Sequence, residues 1–185
     1  VLVIDEIPIP IKKLIEKINI FILKESFQTK SKKKIKDYYF DLNDRTIFIV
    51  GDFPERILSY KEDGSLNESF SSEYIDSTIH SVSLAKNGKI LIGGNFTRIG
   101  DRSLRSVAVL DKNGKCDEAF NSTLNPDDEV YKVIGLPDGG AVLMGDFSKY
   151  GESNKNGIVK LNAEGSVDES FGSSELEVTK FITSY

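Results

Sequence analysis

The chain has 185 residues and a formal net charge of −5, with 39% apolar and 29% charged residues. This composition is typical of a globular protein with one substantial core, and it excludes a disordered or collagen-like chain. Residues 1–38 contain nine lysines and five acidic residues (+4), which leaves −9 on the remainder and argues against nonspecific nucleic-acid binding by that acidic part.

Residues 1–34 are predicted to form an N-terminal extension. Pro10 and the apolar residues after it have helical spacing, which predicts a short helix near residues 11–18. The alternation of Ile18, Ile20 and Ile22 is typical of a strand instead, so we expect a strand to follow the helix. The basic segment KSKKKIK, at 30–36, is predicted to be a solvated loop, with an anionic surface or a glycan partner as the alternative.

After this extension the same pattern of about fifty residues occurs three times. Each unit contains an apolar run, a glycine and then Asp-Phe or Asn-Phe, in the forms TIFIVGDF, KILIGGNF and AVLMGDF. The units close on Phe70, Phe120 and Phe171, which are 50 and 51 residues apart. We therefore predict three tandem units, at 35–78, 79–129 and 130–171.

Each unit predicts an antiparallel meander of three or four strands. In the second unit, an alternating strand from Ile79 meets Asn87-Gly88, a dipeptide that tolerates the positive φ of a tight hairpin. The next strand is the continuous apolar run at 90–92, which predicts burial on both faces, and Gly94 is expected to permit the tight turn after it. A third strand and a second turn at Asn113-Gly114 lead to a short fourth segment that ends at the closing Phe.

Such a meander cannot bury both of its faces alone. We therefore predict an all-β protein whose successive sheets stack as the blades of a β-propeller, or of a propeller segment, with the closing phenylalanines as wedges between neighbours. A sandwich of two sheets is the alternative, but it provides no reason for self-similarity at about fifty residues.

Two of the units resemble a known family. The segments NGKILIGGNFTRIGDRSLRSVAVLDKNGKCDEAF (87–120) and DGGAVLMGDFSKYGESNKNGIVKLNAEGSVDESF (138–171) are similar, nearly end to end, to the delta-60 repeat, a β-propeller repeat of bacterial and phage proteins. The first unit departs from it, because 17 residues separate Phe53 from Phe70, against 24 between the matching residues of the other units. The resemblance spans about residues 35–171 and implies a propeller fold, without a catalytic motif.

The two ends of the chain predict half-units. Residues 172–185 contain LEVTKFITSY, which predicts the first strand of a further blade or a ring-closing strand, with Val178 in register with Ile79. The segment FILKESFQT, at 21–29, is loosely similar to a second strand without its glycines. The last strand could pair with this early one and close a ring. Alternatively, the chain is an excerpt of a longer array or joins an assembly of chains, because complete rings have roughly four to eight blades.

The sequence contains no catalytic or metal-binding pattern, and we predict no cofactor. His80, the only histidine, lies at a polar strand position and is predicted to be an exposed structural residue. Cys116, the only cysteine, is predicted to be inert. DKNGKCDEAF and NPDDE resemble calcium loops in part, but the first lacks the glutamate twelve residues on, and turn chemistry explains both.

Polar residues recur at one place in each unit, at Asp52, Asn95 and Asp146. We expect them to accept hydrogen bonds from the turning backbone beside them, and the alternative is a ring of ligand-binding groups at one mouth of a propeller. The loops that differ between units, at 54–56, 97–105 and 148–156, are the better binding candidates. The candidate binding residues in these loops are Arg98, Asp101, Arg102, Lys149, Tyr150 and Glu152.

The sequence predicts a non-enzymatic structural or interaction module. Its expected partners are a protein, further copies or chains of an assembly, or a surface glycan, in a bacterial surface or a phage tail or virion assembly. We expect no membrane insertion, since no apolar run approaches the ~18 residues of a membrane-spanning helix. The alternative is a polysaccharide-acting hydrolase or lyase with an axial site, which should gather two or more buried carboxylates, or a metal, at the axis.

Overall fold

The computed structural model describes residues 34–85, 88–118 and 126–171. Thirteen β-strands lie in these three segments and all of their pairings are antiparallel, which confirms the prediction of an all-β fold class for this part of the chain. The helix predicted near 11–18, the strand after it and the terminal strand at 172–185 lie outside the described residues.

The first sheet consists of Lys34–Asp41 (β1), Thr46–Asp52 (β2) and Ile57–Lys61 (β3), with β2 in the centre. Successive side chains of a strand point to opposite faces. Phe48 of β2 belongs to the core shared with the next sheet, whereas Ile47 and Ile49 are buried in a separate cluster. The continuous apolar run of β2 therefore has both of its faces buried, as expected.

The middle sheet consists of Ile79–Leu84 (β4), Ile90–Gly94 (β5) and Val107–Leu110 (β8), with β5 in the centre. Every residue of β5 and β8 is buried. Ile90 and Ile92 share a core with the first sheet, while Leu91 shares a core with the third sheet. The middle sheet is therefore packed between two neighbours.

The third sheet repeats this arrangement with Val130–Gly135 (β9), Ala141–Gly145 (β10) and Ile158–Leu161 (β13). Leu143 and Val159 are buried against the middle sheet. The strand residues that alternate with them are half-buried or exposed. Within the described residues, this sheet therefore buries one face more completely than the other.

Short hairpins connect the second and third strands of two sheets. They are Arg98–Ile99 (β6) with Arg102–Ser103 (β7), and Lys149–Tyr150 (β11) with Ser153–Asn154 (β12). In the first unit, four residues join β2 to β3 directly, which agrees with its shorter loop. The predicted fourth segment pairs with its sheet through single bridges, which are Tyr60 to Leu66, Leu110 to Cys116 and Leu161 to Val167.

Glycine has two different roles in these units. Gly64 and Gly114 lie in turns with φ of +84° and +91°, as the turn dipeptides predicted. The expectation for Gly94 was wrong, because this residue lies within β5 and not in a turn. A Cβ atom at Gly94 would lie 2.2 Å from the carbonyl oxygen of Thr78, so glycine is required by the close approach of two backbones.

The phenylalanines supply much of the packing between units. Phe96 and Phe147, which follow the second strands, are 0% and 1% exposed. The closing Phe70 is buried and meets Phe48 edge to face, with ring centroids 5.5 Å apart. The closing residue of the third unit, Phe171, is half-buried, and that of the second unit, at 120, lies outside the described residues.

Candidate functional site

A bulge near the start of each first strand places one extra residue opposite the second strand. These extra residues are Lys36 in β1, His80 in β4 and Tyr131 in β9, and we call them the bulge row. A β-bulge bends its strand locally and re-aims the side chain of the extra residue. The bulge row therefore occupies one repeated backbone position with three different side chains.

Contacts join two members of the bulge row, His80 and Tyr131, to one another and to two carboxylates. The rings of His80 and Tyr131 have centroids 5.7 Å apart and are tilted by 52°. Glu129 Oε2 lies 3.6 Å from His80 Nε2, and the Tyr131 hydroxyl donates a hydrogen bond of 2.5 Å to Asp146 Oδ2. The prediction that His80 is an exposed structural residue was wrong, because the bulge turns it inward and its side chain is 19% exposed.

The surroundings of the bulge row shift the pKa values of His80 and Tyr131. Burial lowers the pKa of His80, Glu129 opposes this effect, and the nearby Lys36 lowers the pKa further, so that it lies below the ordinary value. The hydrogen bond to Asp146, burial and the neighbouring carboxylates raise the pKa of Tyr131, so its hydroxyl remains a donor. The ring of Tyr131 is held in place by this bond, and 43% of the residue is exposed to solvent.

A second set of contacts lies one residue further along each first strand. Asp37 Oδ2 accepts hydrogen bonds from Ser81 Oγ (2.8 Å), the Val82 N–H (3.2 Å) and Lys132 Nζ (2.8 Å). Asp37, Ser81 and Lys132 come from the three first strands at equivalent register. The first strands therefore converge, and this convergence brings His80 and Tyr131 of the bulge row together.

The expectation for the recurring residues Asp52, Asn95 and Asp146 was that each would accept hydrogen bonds from the turning backbone. Their side-chain hydrogen bonds in the structure are instead with other side chains. Asp52 pairs with Arg56 at 2.7 Å, Asn95 Oδ1 accepts a 2.8 Å bond from Ser77 Oγ, and Asp146 accepts the bond from the bulge-row tyrosine. Neighbouring side chains therefore set the role of this position separately in each unit.

Two aspartates that the sequence analysis missed hold the backbone after the second strands. Asp76 Oδ1 accepts bonds from the N–H groups of Thr97 (2.9 Å) and Arg98 (3.1 Å). Asp127 does the same for Ser148 (2.8 Å) and for the lysine after it (2.9 Å). Both aspartates lie three residues before a first strand, and this shared spacing is the sequence signal that could have identified them.

The candidate loop residues lie in the two hairpins. Asp101 and Glu152 are exposed at the turns, and Arg98 and Lys149 are exposed on β6 and β11. Arg102 pairs with Glu73 at 2.9 Å and with Glu118 at 2.8 Å.

Tyr150 is only 3% exposed and belongs to the core shared by the middle and third sheets, so its side chain lies beneath the hairpin.

The hairpins and the bulge row lie at the same strand ends. Asp127 holds the start of the second hairpin, and Glu129, two residues later, reaches His80. Asp76 has the corresponding place beside the first hairpin. One end of the stacked sheets therefore presents both the row and the hairpins.

Three further features that could bear on function are a reactive thiol, a metal site and a membrane-spanning helix. Burial, with the negative charge of Glu73, raises the pKa of the Cys116 thiol to about 11, which disfavours a reactive thiolate. Among residues 34–85, 88–118 and 126–171, no group of three His, Cys, Asp or Glu side chains could hold a metal ion. No helix in the part of the chain that the structure describes is long and apolar enough to cross a membrane.

Residues 85–120 and 136–171 each match a family described as a domain of unknown function (DUF5122) beta-propeller. Together the two segments cover less than half of the chain, and they support a propeller repeat family. A crystal structure of a protein of unknown function from Bacteroides caccae is 18% identical, with a TM-score of 0.40. The alignment covers 71% of this chain and 46% of that chain. No curated protein matches the sequence.

Proposed function

We propose that the chain is a non-enzymatic interaction module that binds a protein or glycan partner at the end formed by the bulge row and the hairpins. The observation that carries this proposal is the bulge row itself. One repeated backbone position has three different side chains, and two of them, His80 and Tyr131, meet at an exposed tyrosine ring whose hydroxyl is bonded to a carboxylate. A rigid repeated frame with unequal side chains is a common basis for recognition.

The chemistry of this end suits a polar ligand. The ring of Tyr131 offers an apolar surface with a polar tip, while Asp146 and Glu129 are acceptors on either side of the row. Exposed charges of both signs on the hairpins, at Arg98 and Asp101, extend the surface outward. We expect the row to provide the centre of the contact and the hairpins to provide its rim.

The matched repeats support the propeller part of this proposal, and the setting is proposed with it. We propose that the units are delta-60 repeats that form a propeller, within one chain or between chains, as part of a bacterial surface or a phage tail or virion assembly. In that setting a binding surface at one end of the stack would face a neighbouring protein or a surface glycan.

Binding of the full chain to bacterial surface glycans, on an array, and to purified surface proteins tests the proposal. Tyr131→Ala should weaken the selected interaction several-fold, because it removes the ring at the centre of the contact. Tyr38→Ala is the matched control, since Tyr38 is an exposed tyrosine (57%) of β1 outside the row. Equal effects of the two substitutions, or binding to no member of either set, would overturn the proposal.

The enzymatic alternative is tested in the same samples. A polysaccharide hydrolase or lyase would shorten the glycan chains, which size-exclusion chromatography detects. Asp37 is the carboxylate at the convergence of the first strands, but Lys132 and Ser81 already bind it. Depolymerisation that is lost in Asp37→Asn would replace the binding proposal with the enzymatic one.

A further inference from the structure

The third sheet presents an apolar face whose counterpart in the middle sheet is covered. Antiparallel register places Ile134 and Val142 opposite one another, and Met144 opposite Ile158, on the side away from the middle sheet. Lys132 and Lys160 have the remaining positions on this side, where they pair with Asp37 and Asp168. We call the four apolar residues the outer face. Ile134 is 41% exposed and the other three are half-buried, although an apolar face of this kind usually lies against a neighbour.

The middle sheet shows how its own equivalent face is covered. Leu91, Val107 and Val109 are at most 1% exposed, in the core shared with the third sheet. Val130 and Val133 of β9 supply part of that cover, and their Cγ1 atoms lie 2.8 and 2.7 Å from where a Cβ atom on Gly93 would be. Two apolar residues, three positions apart on a first strand, therefore pack that strand against the preceding sheet. We call such residues a seating pair.

The sequence pattern of this first strand recurs near the C-terminus. Residues 129–134 read Glu-Val-Tyr-Lys-Val-Ile, and residues 177–182 read Glu-Val-Thr-Lys-Phe-Ile. Val178 and Phe181 stand where Val130 and Val133 stand in the earlier segment. The later segment thus contains the same apolar pair, at the same spacing, as the strand that covers the middle sheet.

We propose that residues 177–182 dock on the outer face of the third sheet, with Val178 and Phe181 as the seating pair. At the register of Gly93, the third sheet has Met144. The Cβ atom of Met144 prevents an approach as close as that of β9 to Gly93, and the unbranched, flexible side chain can bend aside to leave room for the ring of Phe181. This inference concerns how the stack of sheets continues, and it is independent of the proposed ligand surface.

Met144 is the only methionine in the chain, so it is a native reporter at the centre of the outer face. In the full chain labelled with methyl-13C methionine, we expect a single methyl signal that the ring of Phe181 displaces from its position in the unfolded chain. We also expect slow oxidation of Met144 by dilute hydrogen peroxide, measured by mass spectrometry.

The double substitution Val178→Asp with Phe181→Asp should speed the oxidation several-fold and return the methyl signal toward its unfolded position. Thr179→Asp is the matched control, because Thr179 stands at the register of the exposed Tyr131, and it should change neither observable. If the double variant does not fold, Phe181→Leu keeps the test, since it preserves an apolar side chain but removes the ring that shifts the methyl signal.

Identical methyl shifts and oxidation rates in the wild type, the double variant and Phe181→Leu would overturn the proposal. Protection of Met144 that depends on protein concentration, and not on Val178 and Phe181, would overturn it in favour of a second copy of the chain on the outer face. Neither result would bear on binding by the bulge row, which the glycan and protein binding measurements follow separately.

Discussion

The middle and third sheets have the same strand order and nearly the same register, but they differ in how completely they are buried. All nine residues of β5 and β8 are buried, whereas residues of β10 and β13 alternate between buried and half-buried. The sequences of the two units do not differ enough in apolar content to explain this. Burial in a repeat protein depends on whether a neighbouring sheet is present on each face.

The side chains at equivalent positions nevertheless differ between the two sheets. Gly93 of the middle sheet admits Val130 and Val133, while the third sheet has Met144 at that register. Ser81 of the middle sheet is fully buried, while its counterpart Lys132 reaches back to an aspartate of the first sheet. The frame is constant, and its two faces are adapted to different neighbours.

The largest effect that would test this comparison comes from truncating one isoleucine on a covered face of the middle sheet and one on the outer face of the third sheet. Ile92→Ala should lower the free energy of unfolding by about 2–5 kcal/mol, because it leaves a cavity in a core that is closed on all sides. Ile158→Ala, on the outer face, should cost less, because this side chain is only half-buried by the described residues. Urea unfolding of both variants measures the difference, and equal losses would contradict the contrast between the sheets.

Adding a side chain, instead of removing one, tests how tightly the middle and third sheets are packed against one another. Gly93→Ala should cost about 1–3 kcal/mol, because its Cβ would lie within 3 Å of both Val130 and Val133. Met144→Ala removes atoms at the equivalent register of the third sheet and should cost less. A larger loss for Met144→Ala than for Gly93→Ala would show that the outer face is packed more tightly than the interface between the middle and third sheets.

The contact between the first and third sheets allows a further comparison. Asp37→Ala removes the acceptor of three bonds and leaves the Val82 N–H and Ser81 Oγ without it, so we expect a loss of about 1–3 kcal/mol. Lys132→Ala removes only a half-exposed ion pair and should cost at most about 1 kcal/mol. Thermal unfolding of the two variants checks this order, and the reverse order would indicate that the lysine stem contributes more through packing.

The smallest effect concerns the aspartate beside the first hairpin. Burial by itself would raise the pKa of Asp76, but bonds from Thr97 and Arg98 outweigh it and hold the pKa below the ordinary value of 3.8. The stability that this carboxylate contributes is therefore complete above that value and disappears as the pH falls through the folded pKa.

Asp76→Asn should accordingly lower the free energy of unfolding by less than about 1 kcal/mol at neutral pH, because asparagine retains one acceptor oxygen. The difference between variant and wild type should shrink as the pH approaches about 2, well below the ordinary carboxyl pKa. Urea midpoints over this range measure it. Asp127→Asn, at the same position beside the second hairpin, should follow the same pH dependence, and a constant difference would show that charge is not the cause.

Much of the local structure could be predicted because neighbouring residues encode it. Turn dipeptides such as Asp63-Gly64 supply the positive φ that the hairpins need, and continuous apolar runs such as β5 predict strands with both faces buried. The role of Gly94 was predicted wrongly, because the carbonyl that excludes its side chain belongs to Thr78, sixteen residues earlier. The loop residues were placed on hairpins, but the burial of Tyr150 depends on the sheet beneath it.

The sequence by itself determined the fifty-residue period and the antiparallel strands of the three described segments. Only the tertiary structure decided which residues form the bulge row, because Lys36, His80 and Tyr131 are more than forty residues apart from one to the next. His80 and Tyr131 meet only when the first strands converge. Asp37 and Lys132 are 95 residues apart and lie in contact for the same reason. Local patterns set the conformation of each strand, whereas the stacking of whole sheets sets which side chains share a surface.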